Sequence, residues 1–184
     1  MPNARVRPST DSDVAAITRI YAHYVRRSTA TFELEPPAEC EIAKRRAAIL
    51  ALGLPYLVVE TAGSVGGYAY ANMYRPRPAY RFTVEDSIYI DPAMLGQGLG
   101  KILLGELIER CCHRSWRQMV AVIGDSSNTA SIRLHQTFGF RDVGILHAVG
   151  FKFDRWIDTV LMQRELGGNG GPGQTGNGGA RVHG

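Results

Sequence analysis

The chain has 184 residues, 45% of them hydrophobic and 21% charged, and a formal net charge of +4 at pH 7, which suits one folded domain and excludes a wholly disordered chain. No apolar run approaches the roughly 18 residues of a membrane-spanning helix, and the N-terminal segment lacks the apolar stretch of a secretory signal, so we expect a cytoplasmic protein with no membrane partner. Its cations are spread along the chain instead of forming a basic run, which argues against a nucleic-acid partner and fits a small anionic ligand better.

The hydrophobic pattern predicts one mixed α/β domain over residues 1–166. A short strand at residues 4–8 precedes the motif Thr10-x-x-Asp13, a capping box that predicts the start of a helix reaching about Arg27. The later predicted elements are a helix at residues 38–51, strands at 56–60, 65–73 and 82–90, a helix following the glycines at 96–100, a strand at 119–123, a helix at 128–138, and strands at 140–147 and 152–163. The order is therefore β-α-α-β-β-β-α-β-α-β-β, without an internal repeat.

Residues 167–184 are rich in glycine and polar residues. Such a segment cannot bury enough apolar surface to offset its chain entropy. We predict a disordered tail without a catalytic role.

The cysteines do not indicate a disulfide framework or a metal site. There are three, Cys40, Cys111 and Cys112, an odd number with two of them adjacent. The run Cys111-Cys112-His113 lacks the second ligand pair that a zinc site needs. We expect reduced thiols packed on a helix and no metal.

A strand passes through the motif Gly96-x-Gly98-x-Gly100 into a helix N-terminus, which is an arrangement suited to binding an anion. Glycines let the backbone approach a pyrophosphate, and the first N–H groups of a helix are unpaired. The motif also occurs as a plain turn, so alone it is weak. A Walker loop is excluded because Gly-Lys-Ser/Thr does not follow, and a Rossmann fingerprint would come after the first strand.

Together with Asn128-Thr129-Ala130-Ser131-Ile132-Arg133-Leu134-His135 and Phe138-Gly139-Phe140, this loop resembles the GCN5-related N-acetyltransferase (GNAT) family. The resemblance implies a GNAT fold, in which a single mixed central sheet with splayed central strands is flanked by helices. It also implies acetyl-CoA as co-substrate, with its pyrophosphate on the loop amides and its thioester in the splay. Where the family usually has Gln or Arg at the start of the motif, this chain has Leu95. The implied cofactor-binding residues are Ile88, Tyr89, Ile90, Gly96, Gln97, Gly98, Leu99, Gly100, Lys101, Asn128 and Ser131.

A narrower resemblance, to the phosphinothricin and methionine-sulfoximine acetyltransferase subgroup, covers the chain to about Leu166. It rests on Ser28-Thr29-Ala30-Thr31-Phe32, Tyr74-Arg75-Pro76-Arg77-Pro78-Ala79-Tyr80, Thr83-Val84-Glu85, Ser131-Ile132-Arg133-Leu134-His135 and Gly150-Phe151-Lys152-Phe153-Asp154-Arg155-Trp156-Ile157-Asp158. The resemblance implies a small-molecule amine substrate and a homodimer. The implied substrate-binding residues are Phe32, Arg75, Arg77, Tyr80 and Glu85.

Two side chains are candidates for proton transfer, since an amine must be neutral to attack a thioester. The resemblance implies that Glu85 takes the amine proton. Where the wider family usually has a tyrosine that protonates the departing thiolate, the subgroup has histidine, here His135, which can act as acid or base near neutral pH. Which of Glu85 and His135 dominates proton transfer stays open on the sequence. Each residue also has an ordinary alternative: Glu85 as a surface carboxylate of an alternating strand, and His135 as a hydrogen-bonded core histidine. No Gly-x-Ser-x-Gly elbow is present, so direct transfer is favoured over a covalent intermediate.

Three functions remain open on the sequence. The first is acetylation of the α-amine of small amino-acid analogues such as methionine sulfoximine, methionine sulfone or phosphinothricin. The second is acetylation of another amine, a polyamine or a protein N-terminus; the basic loop around Arg75 argues against a polyamine. The third is a non-catalytic CoA-binding sensor, against which the presence of both Glu85 and His135 weighs.

Overall fold

A computed structural model of the chain describes residues 4–112 and 115–167. The strands are β1 (Arg5–Pro8), β2 (Tyr56–Thr61), β3 (Ser64–Met73), β4 (Thr83–Ile90), β5 (Gln118–Gly124), β6 (Arg141–Lys152) and β7 (Arg155–Glu165). The helices are α1 (Val14–Arg27), α2 (Glu39–Ala51), α3 (Leu99–Cys112) and α4 (Thr129–Thr137). Except for residue 167, the predicted glycine-rich tail lies outside the described residues.

The predicted order of helices and strands is confirmed, and so is the capping box. The Asp13 carboxylate accepts a hydrogen bond from the Thr10 N–H at 2.7 Å. The boundary between the last two strands was predicted wrongly: Lys152, expected to begin the last strand, ends β6, and β7 begins at Arg155. The strand expected to end at His147 continues to Lys152, because it resumes pairing with β7 after an irregularity between Leu146 and Gly150.

The seven strands form one sheet in the order β1-β2-β3-β4-β5-β7-β6. Every neighbouring pair is antiparallel except β4 and β5, which are parallel. The β4–β5 ladder ends at the pair Asp86 and Ala121. Beyond it β4 stays paired with β3 as far as Ile90, and β5 stays paired with β7 as far as Gly124. The central strands therefore diverge, as the predicted splay requires.

Different helices cover the two faces of the sheet. Tyr89 of β4 contacts the ring of Tyr21 in α1, with ring centroids 5.2 Å apart. The next residue, Ile90, points to the other face, where a Cβ on Gly100 of α3 would lie 3.8 Å from it. The apolar side of α3 supplies much of the core on that face, including the fully buried Leu103 and Leu107.

Two further predictions concern α3 and the membrane. Cys111 is buried in α3 and Cys112 is partly buried there, in agreement with the packing role expected for them. Within residues 4–112 and 115–167, no helix is long and apolar enough to cross a membrane.

Candidate active site

The divergence of β4 and β5 opens a cleft of about 470 Å³. The end of α1, the loop after it, the start of α3 and the first turns of α4 complete its walls. Its lining residues are Tyr24, Ser28, Thr29, Ala30, Asp86, Ser87, Ile88, Tyr89, Ile90, Leu95, Gly100, Ala121, Val122, Ile123, Gly124, Ser127, Asn128, Ala130, Ser131, Leu134 and His135. A cleft of this size is in the range of small-molecule sites.

The glycine-rich loop at the mouth of the cleft needs two of its glycines for their backbone conformation. Gly96 and Gly98 have φ angles of 76° and 78°, in the left-handed region that other residues rarely adopt. The Lys101 N–H donates to the Gly98 carbonyl at 3.1 Å, which begins the hydrogen bonding of α3. The amides that precede Lys101 in the first turn have no intrahelical acceptor. They can bind an anion such as a pyrophosphate.

The structure brings together about half of the predicted cofactor-binding residues. Those lining the cleft are Ile88, Tyr89, Ile90, Gly100, Asn128 and Ser131. Gly96, Gln97, Gly98 and Lys101 lie outside its lining, with the glycines and Gln97 exposed. Leu99 turns its side chain into the core, with 1% exposed, so only its backbone amide is available to a ligand. The Asn128 side chain caps α4 by accepting from the Ser131 N–H at 3.2 Å.

His135 lies at the inner end of the cleft, with 2% of its surface exposed. Its Nδ1 lies 2.7 Å from the Ser131 carbonyl oxygen, and its Nε2 lies 3.0 Å from Asp86 Oδ2. Burial acts to lower the pKa of His135, but the hydrogen bond and charge of Asp86 and the Ser131 carbonyl outweigh it, so that the pKa is raised. The alternative of a hydrogen-bonded core histidine and the functional interpretation are both compatible with this contact.

Asp86 was missed by the sequence analysis. It occupies an inward position of β4 between the apolar Val84 and Ile88, and a carboxylate among alternating apolar residues is the signal that would have found it. Its Oδ1 atom is buried and has no hydrogen-bond partner in the part of the chain that the structure describes.

Glu85 points to the opposite face of the sheet from Asp86 and is partly buried. It lies opposite Asn72 of β3 and beside Val120 of β5, one pair before the strands diverge. Burial and the neighbouring charge of Asp86 raise the pKa of Glu85 to about 7, while the charge of Arg75 opposes the increase. Glu85 is thus suited to exchange a proton near neutral pH.

The loop between α1 and α2 is fixed to the β6–β7 hairpin beside the cleft. Lys152 is 4% exposed, and its Nζ donates to the carbonyl oxygens of Ser28 and Thr31 at 2.8 and 2.7 Å. The Phe32 ring packs so closely on Gly150 that a Cβ there would overlap it. These contacts, which depend on residues far apart in sequence, were not predicted.

A second contact fixes the same loop to the cleft wall. The Asp125 carboxylate accepts from the Thr29 hydroxyl at 2.9 Å and from the Ser127 hydroxyl at 2.7 Å, and it pairs with Arg155 of β7. The Ser127 hydrogen bonds and this arginine hold the pKa of Asp125 well below its usual range, so it remains charged at neutral pH. The loop that carries Phe32 is therefore held on both sides.

The predicted substrate-binding residues lie around the cleft and do not line it. Arg75, Arg77 and Tyr80 are exposed in the loop after β3, where the Arg75 guanidinium lies 5.1 Å from the Tyr74 ring centroid. The charge of Arg75 acts to lower the pKa of Glu85. Phe32 is also exposed and packs against Gly124 of β5.

Within residues 4–112 and 115–167, no group of three or more His, Cys, Asp or Glu residues is arranged to hold a metal ion. The functional groups of the described site include carboxylates, a histidine and backbone amides.

Known proteins resemble the chain over most of its length. The model of the Acetyltransferase (GNAT) family matches residues 15–140. Phosphinothricin N-acetyltransferase of Alcaligenes faecalis is 58% identical over 161 residues, 88% of this chain and 82% of the relative. L-methionine sulfoximine/L-methionine sulfone acetyltransferase of Salmonella typhimurium is 41% identical over 162 residues, 88% of this chain and 94% of the relative.

A solved structure agrees with these matches. It is that of a GNAT superfamily phosphinothricin acetyltransferase from Sinorhizobium meliloti in complex with AcCoA, which is 47% identical, covers 89% of either chain and has a TM-score of 0.87. The resemblance indicated by the sequence motifs is confirmed, and the sheet with its splayed strands has the expected architecture. The chain belongs to the acetyltransferase (GNAT) family.

Proposed function

We propose that the protein transfers the acetyl group of acetyl-CoA to the α-amino group of small amino-acid analogues such as phosphinothricin, methionine sulfoximine and methionine sulfone. Relatives at 58% and 41% identity are named for these acceptors. The observation that carries the proposal is Glu85, a partly buried carboxylate with a pKa of about 7 at the point where the central strands diverge. Such a group accepts a proton from an ammonium near neutral pH.

Acetyl-CoA is the acyl donor that fits the cleft. The loop around Gly96 and Gly98 leaves backbone N–H groups for its pyrophosphate. From there the cleft follows β4 inward to Asp86 and Ala121, which gives an extended pantetheine arm a path to the splay. The relative from Sinorhizobium meliloti was solved in complex with AcCoA, which supports the same donor here.

The proposed reaction is direct attack of the amine on the thioester carbonyl. Glu85 takes the proton of the amine, which is mostly protonated at pH 7. Arg75 and Arg77 pair with the carboxylate or the tetrahedral head of the acceptor, because guanidinium groups hold such oxygens in a two-pronged manner. Phe32 and Tyr80 form apolar walls of the acceptor pocket.

A thiol-release assay with acetyl-CoA against a panel of amines tests the function. We expect turnover with methionine sulfoximine, methionine sulfone and phosphinothricin. Free methionine should be turned over at least tenfold less, because it lacks the tetrahedral head and loses on the order of one charged hydrogen bond. Turnover confined to spermidine or to a short peptide would keep the reaction and contradict the acceptor site. Binding of acetyl-CoA without thiol release from any amine would contradict an enzyme and favour a sensor.

We also propose that the protein is a homodimer associated through β6. Among the residues that the structure describes, this strand is an edge of the sheet and pairs only with β7. Its exposed backbone and apolar side chains suit a second copy. Large apolar side chains on β6 and the adjoining hairpin are 47% to 66% exposed: Val143, Ile145, Leu146, Val149, Phe151, Phe153 and Trp156. Gly150 of the same strand contacts Phe32, so the interface would adjoin the acceptor pocket.

Sedimentation velocity tests the dimer. We expect the wild type to sediment as a dimer and the double variant Phe151→Ser with Trp156→Ser as a monomer, because it loses an exposed aromatic pair with ring centroids 5.1 Å apart. Leu34→Ser is the matched control, since Leu34 is 70% exposed in the loop between α1 and α2. Equal sedimentation of wild type and double variant would contradict this interface.

We further propose a cytoplasmic enzyme without a nucleic-acid or membrane partner. Arginines such as Arg7, Arg45 and Arg110 pair with neighbouring carboxylates, which leaves them poorly placed to bind phosphate backbones.

A further inference from the structure

Both ring nitrogens of His135 make a short polar contact, but a neutral imidazole carries a hydrogen on only one of them. A carbonyl oxygen only accepts hydrogen bonds, so the His135 Nδ1, 2.7 Å from the Ser131 carbonyl, carries a hydrogen. The Nε2 atom lies 3.0 Å from Asp86 Oδ2. With both groups unprotonated at that contact, two lone pairs would face each other. One proton is therefore shared between Nε2 and Oδ2.

Asp86 is the charged group in contact with His135. Within α4 the imidazole contacts the Ser131 carbonyl oxygen. In the segment after α4 it contacts the ring of Phe140 edge-on, with ring centroids 4.9 Å apart. Neither carries a charge. Glu85 lies on the opposite face of the sheet from Asp86. The protonated state of His135 therefore depends on Asp86, and burial without that partner would favour the neutral imidazole.

The position of Asp86 and His135 suits the thiolate side of the proposed reaction. Asp86 forms the last rung between β4 and β5 with Ala121, and both Asp86 and His135 line the cleft. Glu85, one residue earlier, points to the other face. The two ends of an acetyl transfer need opposite proton movements, because the amine loses a proton and the thiolate gains one. Glu85 and Asp86, which are consecutive in β4, thus face opposite sides of the sheet at the splay, one for each proton movement.

We propose that Asp86 is a positioning residue that keeps His135 protonated, so that His135 can give a proton to the departing CoA thiolate. The inference rests on the proposed function and extends it. The C–S bond breaks with its electron pair on sulfur, and sulfur takes the shared proton to form the thiol. This leaves neutral imidazole, with hydrogen on Nδ1, beside the Asp86 carboxylate. Solvent restores the proton after product release, and Glu85 returns the amine proton to solvent.

The test compares Asp86→Asn with the wild type in the pH dependence of kcat and in the ¹⁵N NMR titration of the His135 ring, assigned with His135→Gln. We expect kcat at pH 8 to fall about tenfold or more, and its decline at high pH to begin at lower pH. The NMR midpoint of His135 should move to lower pH as well. Because the two residues act as a unit, the double variant should be no slower than His135→Gln alone.

The controls separate this inference from the function on which it rests. Glu39→Gln, which neutralises an exposed carboxylate at the first residue of α2, should keep the wild-type rate and profile. If the wild type transfers acetyl and Asp86→Asn keeps its kcat profile and its NMR midpoint, the role of Asp86 is overturned while the function stands. If the wild type releases thiol with no amine of the panel, the function falls and the role of Asp86 falls with it. A folding defect would appear as loss of the dispersed NMR spectrum, and Asp86→Glu, which restores the charge, should then recover the midpoint.

Discussion

Glu85→Gln should lower kcat/KM for the amine acceptor by on the order of 100-fold or more at pH 7, since general-base catalysis contributes at least that much. Glutamine keeps the size of the side chain and cannot accept the proton. In the wild type the pKa of Glu85 is about 7. Below that pH most Glu85 is the carboxylic acid and inactive as a base, and above it the carboxylate predominates. Wild-type activity should therefore rise with pH through about 7, ahead of the decline at higher pH that is expected when His135 loses its proton.

In the variant the inflection near pH 7 should disappear. The remaining rate then follows the neutral fraction of the amine, so the deficit should shrink as pH rises toward the pKa of the amine. Steady-state kinetics from pH 5.5 to 9, as an approximate range around these pKa values, measure both effects. The affinity for acetyl-CoA should not change, because Glu85 lies outside the lining of the cleft.

The control for this experiment is Glu35→Gln, an exposed carboxylate in the loop between α1 and α2. It should retain the wild-type rate and pH profile. A Glu85→Gln variant within about threefold of the wild type across the pH range, well under the effect of a general base, would exclude Glu85 as the base. The proton would then have to leave through another group.

Local patterns were sufficient to predict the order of helices and strands, and the resemblance to the GNAT family implied the fold. The helical spacing of Val14, Ile17 and Ile20 corresponds to the buried face of α1, and alternation along β4 gives its two faces. The end of β6 was predicted wrongly because the strand is interrupted: Ala148 has a φ of 53°, after which pairing with β7 resumes at Gly150. Sequence alternation cannot show that a strand resumes after a bulge, since only the partner strand restores the register.

Individual residues of the candidate site were predicted from the sequence, but the contacts between them were not. Asn128 and Ser131 were identified from the motif, and both line the cleft. Asp86 was missed although it adjoins Glu85, because its partner His135 is distant in sequence and the pairing arises only when α4 packs on the sheet. Lys152 was missed for the same reason, since its two acceptors lie on another loop. Contacts of this kind are set by tertiary packing, which no local pattern encodes.

The second large effect that we expect is that of Gly124→Ala, at the end of β5. A Cβ at Gly124 would overlap the Thr29 carbonyl oxygen and lie 3.1 Å from the Phe32 ring. Backbone atoms cannot yield as a flexible side chain does, so the loop between α1 and α2 must move away. Overpacking of this kind costs about 1 to 3 kcal/mol of unfolding free energy, which urea denaturation measures.

The same displacement should weaken catalysis more than it weakens folding. Lys152 and Asp125 hold the loop close to β5, so the added methyl opposes both contacts and moves Phe32 out of the acceptor pocket. Misplacement by about 1 Å can cost on the order of 100-fold, and we expect kcat/KM for the acceptor to fall by at least tenfold. Gly167→Ala is the matched control: its Cβ would meet nothing within 4 Å, and it should change neither stability nor rate. If Gly124→Ala equalled Gly167→Ala in both measurements, the loop could not be held against β5, and the acceptor pocket would not depend on that contact.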